Sequence, residues 1–356
     1  MCNITVLELL QAYYDCRKHK RNTYNALKFE EHLETNIMDL YHDLIHDRYQ
    51  IGRSICFVIT KPKPREVWAA DFRDRIVHHL IYNKFFHIFT KSFIHDSYAC
   101  LPNKGTLNAA KRLEKFLRSS SHNYKRKTYF LKADIKNFFM TINKDIMFEL
   151  ICKKVNDKWW QNLIHKVLYN DCVSKAIVKS PKKLLNLIPK QKSLFNANKT
   201  CGLPIGNLSS QFFANIYLNE LDQYIKRDLK CIYYIRYVDD IVIIDQSHQR
   251  LNQIYDKICI FTKDVLHIEF HDKKKQLNTI DKGINFVGYI VKPYRKYIRR
   301  STIKNLYNRT KIMKNYRQSL NSYFGMLIHA NTYREREHIQ KFYSKIKFNK
   351  SLTKCI

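Results

Sequence analysis

The chain runs to 356 residues with a hydrophobic share of 45%, enough for two or three packed units with a sizeable core, which excludes disorder as the default state. Its 64 Lys and Arg against 31 Asp and Glu leave a formal net charge of +33, a balance that implies a polyanionic partner. Nucleic acid leads because aromatic residues, 13% of the chain, supply stacking platforms, whereas a membrane surface is the alternative and no apolar run approaches a bilayer span.

Residues 1–50 carry apolar positions at helical spacing (Val6, Leu9, Leu10, Tyr13, then Leu33, Ile37, Leu40, Leu44) and predict two or three amphipathic helices. Lys18, Lys20 and Arg21 between them face either nucleic acid or bulk water. From Cys56 to Arg75 the pattern is a strand, a Pro-interrupted turn at Lys61-Pro62-Lys63-Pro64, and a second strand. Ser97 to Thr106 leads into a helix running to about Ser119. Gly105 permits close backbone approach there, and Lys104 and Thr106 are placed to contact a phosphate.

Residues 143–170 read as helices on Ile146, Leu150, Trp159, Leu163, Val167 and Leu168. Residues 172–201 carry seven lysines and no acid, broken by Pro181 and Pro189, and read as a loop or hairpin outside the core, over nucleic acid or against a partner protein. Gly202 and Gly206 flank a turn open to close approach, and Ser209, Ser210 and Gln211 open a helix through Leu221 as hydroxyl-rich caps do. Leu251 to Leu266 reads as a further helix. From about Arg295 the chain is basic and helical on Ile303, Leu306, Thr310, Met313, Leu320, Phe324 and Leu327, suited to phosphate contacts. The ten cysteines form no CxxC pair, and Met1 to Leu10 is no secretory leader. They predict reduced, mostly buried thiols in a cytosolic protein without a zinc site, and His78-His79 reads as surface or packing.

Two stretches carry chemistry. Ile232 to Ile244 is a pair of β-branched runs pinched around Val238-Asp239-Asp240, predicting a hairpin with the acids at its turn. Adjacent carboxylates repel, so they belong either to a solvated turn or to a divalent cation held by hard oxygens. The second stretch, Tyr129 to Phe139, places Asp134 where apolar strand gives way to polar turn. Two carboxylate-bearing strand ends side by side in one sheet suit a pair of Mg²⁺ ions about 4 Å apart, the clamp of in-line phosphoryl transfer. Asp134 and Asp239 would bridge the ions, with Asp240 supporting one.

In this order the blocks resemble those of reverse transcriptases, over roughly residues 25–295, and within them the reverse transcriptases of diversity-generating retroelements. Tyr237-Val238-Asp239-Asp240 resembles the YxDD box, Leu131 to Phe139 the first catalytic-Asp block, and Cys201-Gly202-Leu203-Pro204-Ile205-Gly206-Asn207-Leu208-Ser209-Ser210-Gln211 the block between. Arg65 to Arg75 is similar to the fingers hairpin, and Gly283 to Tyr289 to the primer-grip hairpin.

The resemblance implies an α+β, right-hand polymerase fold. Residues 1–125 would form N-terminal helices and fingers, 126–290 an antiparallel palm with the basic insertion 172–201, and 291–356 a helical thumb. It implies Asp134, Ile135, Asp239 and Asp240 as the metal-binding set for two Mg²⁺, for which Mn²⁺ can substitute. Arg65 would grip the incoming triphosphate, as a planar fork of donors can. Phe139 would be the steric gate against a 2′-hydroxyl, with Phe138 in the core if the segment stays extended and the two roles exchanged if the register slips. Ile205, Gly206 and Gln211 would also line the dNTP site. Lys104, Gly105, Tyr237 and Gly288 would contact primer and template. One lysine of Lys273, Lys274 and Lys275, for which Lys274 is taken, would be the general acid for pyrophosphate.

Most reverse transcriptases have Gln where this chain has Ile205, and an aliphatic residue there resembles the diversity-generating group. Losing a polar side chain beside the nascent pair removes a hydrogen bond that penalises misplacement, so low fidelity is expected. In that group the partners are dNTPs, a structured template RNA with its RNA/DNA duplex, and an oligomer of a small basic accessory protein. The product is cDNA altered at template adenines, made in the cytoplasm of a bacterium or archaeon or from a phage gene. The alternatives are an intron-type, retron or phage-defence reverse transcriptase, and a catalytically silent RNA-binding protein on the same fold. The intact set of three carboxylates speaks against the last, because clustered like charges are a liability without metal.

Overall fold

The structure is a computed structural model describing residues 4–18, 23–61, 63–312 and 316–341. Lys20, Arg21, Pro62 and Met313, named above, lie outside these residues, as do Cys2 and Cys355. The fold is α+β, and the chain divides into two compact units. No helix among the described residues is long and apolar enough to cross a membrane.

One unit draws on Met1–His95, Ile135–Lys230 and Asp256–His271. It opens with three helices, α1 (Val6–Arg17), α2 (Tyr24–Glu30) and α3 (Leu33–Ile45). Thr5 starts α1 with a capping box: its hydroxyl accepts from Glu8 N at 3.1 Å while the Glu8 carboxylate accepts from Thr5 N at 2.9 Å. Leu9, Ala12, Tyr13 and Cys16 form the buried stripe of α1, at the spacing the sequence predicts. Strands β1 (Ile55–Ile59) and β2 (Arg65–Ala69) make the expected hairpin, which ends before α4 (Phe72–Thr90), where Asp71 caps the helix by accepting from Arg73 N at 3.1 Å.

Three expectations in this unit are corrected. The segment after Asp134 is not extended. Asn137, at φ 49, turns the chain into a single helical turn, α6 (Phe138–Thr141), yet Phe138 is still the buried member of the aromatic pair, at 2% exposure. The basic stretch 172–201 is not wholly outside the core. After α7 (Lys144–Cys152) and α8 (Lys158–Leu168), Ile177–Val178 pairs parallel to β1 as the third strand of a sheet; Ile177 N donates to Ser54 O and Lys179 N to Cys56 O, both at 2.9 Å. Three of its apolar residues, Cys172, Ile188 and Leu194, are buried, Cys172 and Leu194 in one cluster with Cys56, Trp68 and Met140, while all seven lysines stay exposed. These apolar positions decide the docking, because an ammonium loses nothing by remaining in water. Finally, Ser209 and Ser210 do not cap their helix, α10 (Leu208–Gln223). They are buried within its first turn, where Ser209 Oγ meets His78 Nδ1 at 2.8 Å, and Asn207 before them accepts from Ala70 N at 3.1 Å.

The second unit draws on Asp96–Asp134, Cys231–Tyr255 and Asp272–Ile356. Its four-stranded antiparallel sheet has β6 (Asp240–Asp245) and β3 (Tyr129–Asp134) at the centre, flanked by β5 (Tyr233–Tyr237) and β7 (Gln276–Thr279). Ile241, Val242, Ile243 and Ile244 are all buried, as befits a central strand covered on both faces. Helix α5 (Thr106–Ser120) presses Leu113, Phe116 and Leu117 into one apolar cluster with Phe130, Ile235, Val242 and Ile244. A second antiparallel sheet, β8 (Ile284–Phe286), β9 (Tyr289–Lys292) and β10 (Arg295–Ile298), adds Phe286, Tyr289 and Val291 to that cluster. Arg295 therefore begins a strand, and the expected C-terminal helices start at Arg300.

Candidate active site

The apolar run from Tyr233 builds a hairpin in which Tyr237 pairs with Asp240, leaving Val238 and Asp239 as a two-residue turn. Val238 sits at φ 55, an outlying conformation for a β-branched side chain. Arg236, 1% exposed, braces it by donating from Nη1 to the Val238 carbonyl at 3.0 Å. Backbone bonds hold Arg236 in turn, its N donating to Asp96 O and its O accepting from Tyr98 N, each at 3.0 Å.

Asp134, the last residue of β3, is the direct antiparallel partner of Asp240, the first residue of β6. Side chains so opposed have Cβ atoms about 5 Å apart, and like charges there repel. Burial, reinforced by the charges of Asp134 and Asp240, pushes the Asp239 carboxyl up to about 7. Burial likewise raises Asp240, against the pull of the Lys132 ammonium. Two lysines offset the cluster: Lys132 Nζ lies 3.3 Å from Asp240 Oδ1 and also donates to Asn285 O at 2.9 Å, and Lys274 Nζ pairs with Asp134 Oδ2.

Among the described residues no three His, Cys, Asp or Glu side chains are drawn together tightly enough to enclose an ion; here the ammonium groups of Lys132 and Lys274 answer the carboxylates instead. The donor set nevertheless fits a divalent cation. It is all hard oxygen, its three carboxylates meet the two ammonium groups just named, and the Asp239 carboxyl, raised first by burial and then by its neighbours' charges, is one a metal would stabilise in its ionised form.

Other expected residues of this unit adjoin the hairpin. Gly105, at φ 104, donates its N to Tyr98 O at 3.0 Å, beside the backbone that fixes Arg236, and Lys104 Nζ lies 4.7 Å over the Tyr98 ring. Tyr237 packs edge-on to Phe286 with centroids 6.5 Å apart. Val287 and Gly288, at φ 46 and 90, form the two-residue turn between β8 and β9. Of the three adjacent lysines Lys274 is the one that meets Asp134; Lys275 turns to Asn252 Oδ1 at 3.2 Å and to the Tyr255 ring.

The remaining expected residues belong to the first unit. Arg65 is exposed at the start of β2, opposite Ile59. Trp68 N donates to Ile205 O at 2.7 Å, tying β2 to the 202–206 turn, and Phe139 and Ile205 pack on the same buried cluster around Trp68. Gly206, at φ 128, lies so close to β2 that a Cβ would stand 2.8 Å from Trp68 O. Gln211 is half-buried on α10, and Ile135, 1% exposed, bridges Phe270. Sequence reasoning missed Arg236 and Lys132. The signal was a lone cation within each apolar strand, at Ile235-Arg236-Tyr237 and Leu131-Lys132-Ala133.

This four-stranded sheet, with its acid-tipped hairpin and the second sheet beside it, defines a nucleic-acid polymerase fold. The chain belongs to the reverse transcriptase (RNA-dependent DNA polymerase) family, which matches residues 60–291. Among curated proteins it is similar to the COX1/OXI3 intron 2 protein of Saccharomyces cerevisiae, at 21% identity covering 58% of this chain and 28% of that one. Among solved structures it is similar to telomerase from Candida albicans in complex with a TWJ fragment of telomeric RNA (TM-score 0.51, 11% identity, 87% of this chain and 61% of that one). It is also similar to apo telomerase from Candida tropicalis truncated from its C-terminal domain (TM-score 0.50, 12% identity, 75% and 60%). The chain thus spans under a third of the yeast relative and about three-fifths of each telomerase.

Proposed function

We propose that the chain is an RNA-directed DNA polymerase, a nucleotidyltransferase that extends a primer with dNTPs along an RNA template. The observation that carries this is the cross-strand pairing of Asp134 with Asp240, with Asp239 in the turn beside them. Asp134, Ile135, Asp239 and Asp240 would hold two Mg²⁺, or Mn²⁺ in their place. Bound there, the ions would activate the primer hydroxyl and neutralise charge on the departing pyrophosphate. Lys274 Nζ, now on Asp134, is the proton donor to that pyrophosphate, and Lys132 holds Asp240 in place. Arg65 binds the triphosphate, Phe139 excludes a 2′-hydroxyl, and Ile205, Gly206 and Gln211 complete the nucleotide site. Lys104, Gly105, Tyr237 and Gly288 bind primer and template. Fingers with N-terminal helices (1–125), palm (126–290) and thumb (291–356) are the corresponding domains.

Within the family we assign the chain to the diversity-generating retroelements, supported by the aliphatic Ile205 in the block that ends at Gln211. The product is then error-prone cDNA mutated at template adenines, made with a small basic accessory protein oligomer. A second reading, an intron-type enzyme, is favoured by the likeness to the yeast intron protein. The test is Mg²⁺-dependent extension of a primer on a mixed-sequence RNA, with the cDNA sequenced and Asp240→Asn as control. The expected result is extension that the variant loses by at least about 10³-fold, with errors gathered opposite adenine. Faithful extension overturns the diversity-generating assignment in favour of the intron type. Failure of the wild type with template RNA and accessory protein supplied overturns the polymerase reading.

A further inference from the structure

Helix α5 carries a basic stripe that the reaction does not use. At 3.6 residues per turn Lys111, Lys115 and Arg118 fall within about 60° of one another, opposite the side that buries Ala109, Leu113, Phe116 and Leu117 against the sheet. All three are exposed. The body of the helix, about 10 Å across, therefore separates the stripe from the strands that hold the carboxylates.

The chain then turns back on itself through His122, Asn123 and Tyr124, at φ 50, 61 and 67. Asn123 N donates to Arg118 O at 2.8 Å, Arg118 Nε donates to Asn123 Oδ1 at 2.9 Å, and Arg126 N donates to Ser121 O at 2.9 Å. This hook returns the exposed Lys125, Arg126 and Lys127 to the end of the helix where Arg118 lies. Lys115, Arg118, Ser119, His122 and Asn123 line an open hollow there of about 450 Å³, furnished with hydrogen-bond donors. It is the far end of the sheet: Tyr129 begins β3 five residues, about 16 Å, before Asp134.

The acids on and beside the helix are already paired. Glu114 is taken by Lys296 at 2.8 Å and Asp96 by Arg112 at 2.7 Å. No large hydrophobic side chain of the stripe or the hook is itself exposed. The apolar side chains exposed beside them, Tyr294 with its ring 4.4 Å from that of Tyr124 and Ile232 next to the Tyr233 that meets Ser119 at 2.9 Å, stand singly rather than as the contiguous patch a membrane or a protein interface would use. Along the axis the three stripe cations are spaced by about 6 and 4.5 Å, close enough for each to meet a different phosphate of one strand, where charges recur about every 3.4 Å of duplex axis.

We propose that this face is a second nucleic-acid site, which grips the sugar-phosphate backbone of a helical segment of the template RNA away from the reaction centre. Why an RNA should be held there rests on the polymerase reading; the binding itself is read without catalysis. Such a grip would tether a structured template while its single-stranded part is copied.

The test compares the full-length chain with Lys111→Ala/Lys115→Ala/Lys125→Ala by anisotropy on a labelled RNA hairpin without a primer end, across a KCl series, with a DNA hairpin and phosphatidylserine vesicles as parallel probes. Extension of a short pre-annealed primer–template is the second readout. The expected result is a hairpin affinity lowered at least tenfold, a log–log salt slope shallower by about 2 to 3, a smaller effect on the DNA hairpin, and short-template extension unchanged. Equal slopes for both proteins overturn the proposal. So does an equal loss of short-template extension, which would put the lysines in the polymerase cleft, and so does a loss confined to vesicles, which would make the face a membrane contact. An inactive wild type whose hairpin binding still falls in the variant sinks the polymerase reading and leaves this surface standing.

Discussion

At the scale of single residues, the acid-tipped hairpin shows what a strand pattern hides. Val238 in a left-handed turn is a conformation a free hairpin would avoid, and it persists because the buried Arg236 guanidinium holds its carbonyl. The acid pair was legible from two carboxylates at the tip of apolar strands. The brace was not, because a cation inside a strand reads as a flaw in the apolar alternation until its partner is seen. A second buried charge has no such task. Asp74, 2% exposed, accepts from Tyr49 Oη at 2.7 Å and from Gly52 N at 2.9 Å, and burial raises its carboxyl to about 6. A carboxyl with a folded value above its unfolded one stabilises the fold while protonated, and that stability is lost as pH rises through 6. A rise from 3.8 to about 6 corresponds to about 3 kcal/mol. Asp74→Asn keeps an acceptor for Gly52 and cannot ionise. Urea denaturation from pH 4 to 7 should show the variant gaining on the wild type by up to that amount as pH rises, and parallel curves would refute the assignment of the cost to Asp74.

At the scale of elements, the helices and strands with dense apolar periodicity were legible: α1, α3, the β1–β2 hairpin and the β5–β6 hairpin stand close to where the sequence predicts them. The misreadings share a cause. The stretch 172–201, the turn after Asp134 and the start of α10 are each decided by one or two side chains docking on distant residues, Leu194 beside Trp68, Asn137 in a left-handed turn and Ser209 on His78. Local pattern carries no trace of such partners. The β2 contact with the 202–206 turn gives a prediction of this kind. Gly206→Ala adds a Cβ 2.8 Å from Trp68 O and 2.9 Å from Val67 Cγ1 at a φ of 128, so both strain and overlap apply, and a loss of about 2–4 kcal/mol is expected. Gly105→Ala, at φ 104 with nothing within 4 Å of the new Cβ, carries the backbone strain alone and should cost about half as much. Equal shifts of the two urea midpoints would show that the close approach to β2 contributes nothing.

At the scale of the whole molecule, the net charge of +33 acts on folding and on binding with opposite signs. Self-repulsion of an excess of cations destabilises the compact chain, and added salt screens it, shortening the Debye length from about 30 Å at 0.01 M to about 10 Å at 0.1 M. Phosphate binding gains from release of counterions, and added salt weakens it, by about 10³-fold between 50 and 200 mM for six or more contacts. The melting temperature should therefore rise with KCl over the range in which primer–template affinity falls. Circular dichroism and anisotropy on one set of samples read both. A lysine excess that merely follows from an AT-rich gene would spread its charges without regard to phosphate contacts, so the melting temperature would still rise but the affinity would fall with a slope of one or two. A steep slope alongside the rise in melting temperature requires cations arranged along the nucleic acid. Lys104, over the Tyr98 ring beside the hairpin, is one such cation.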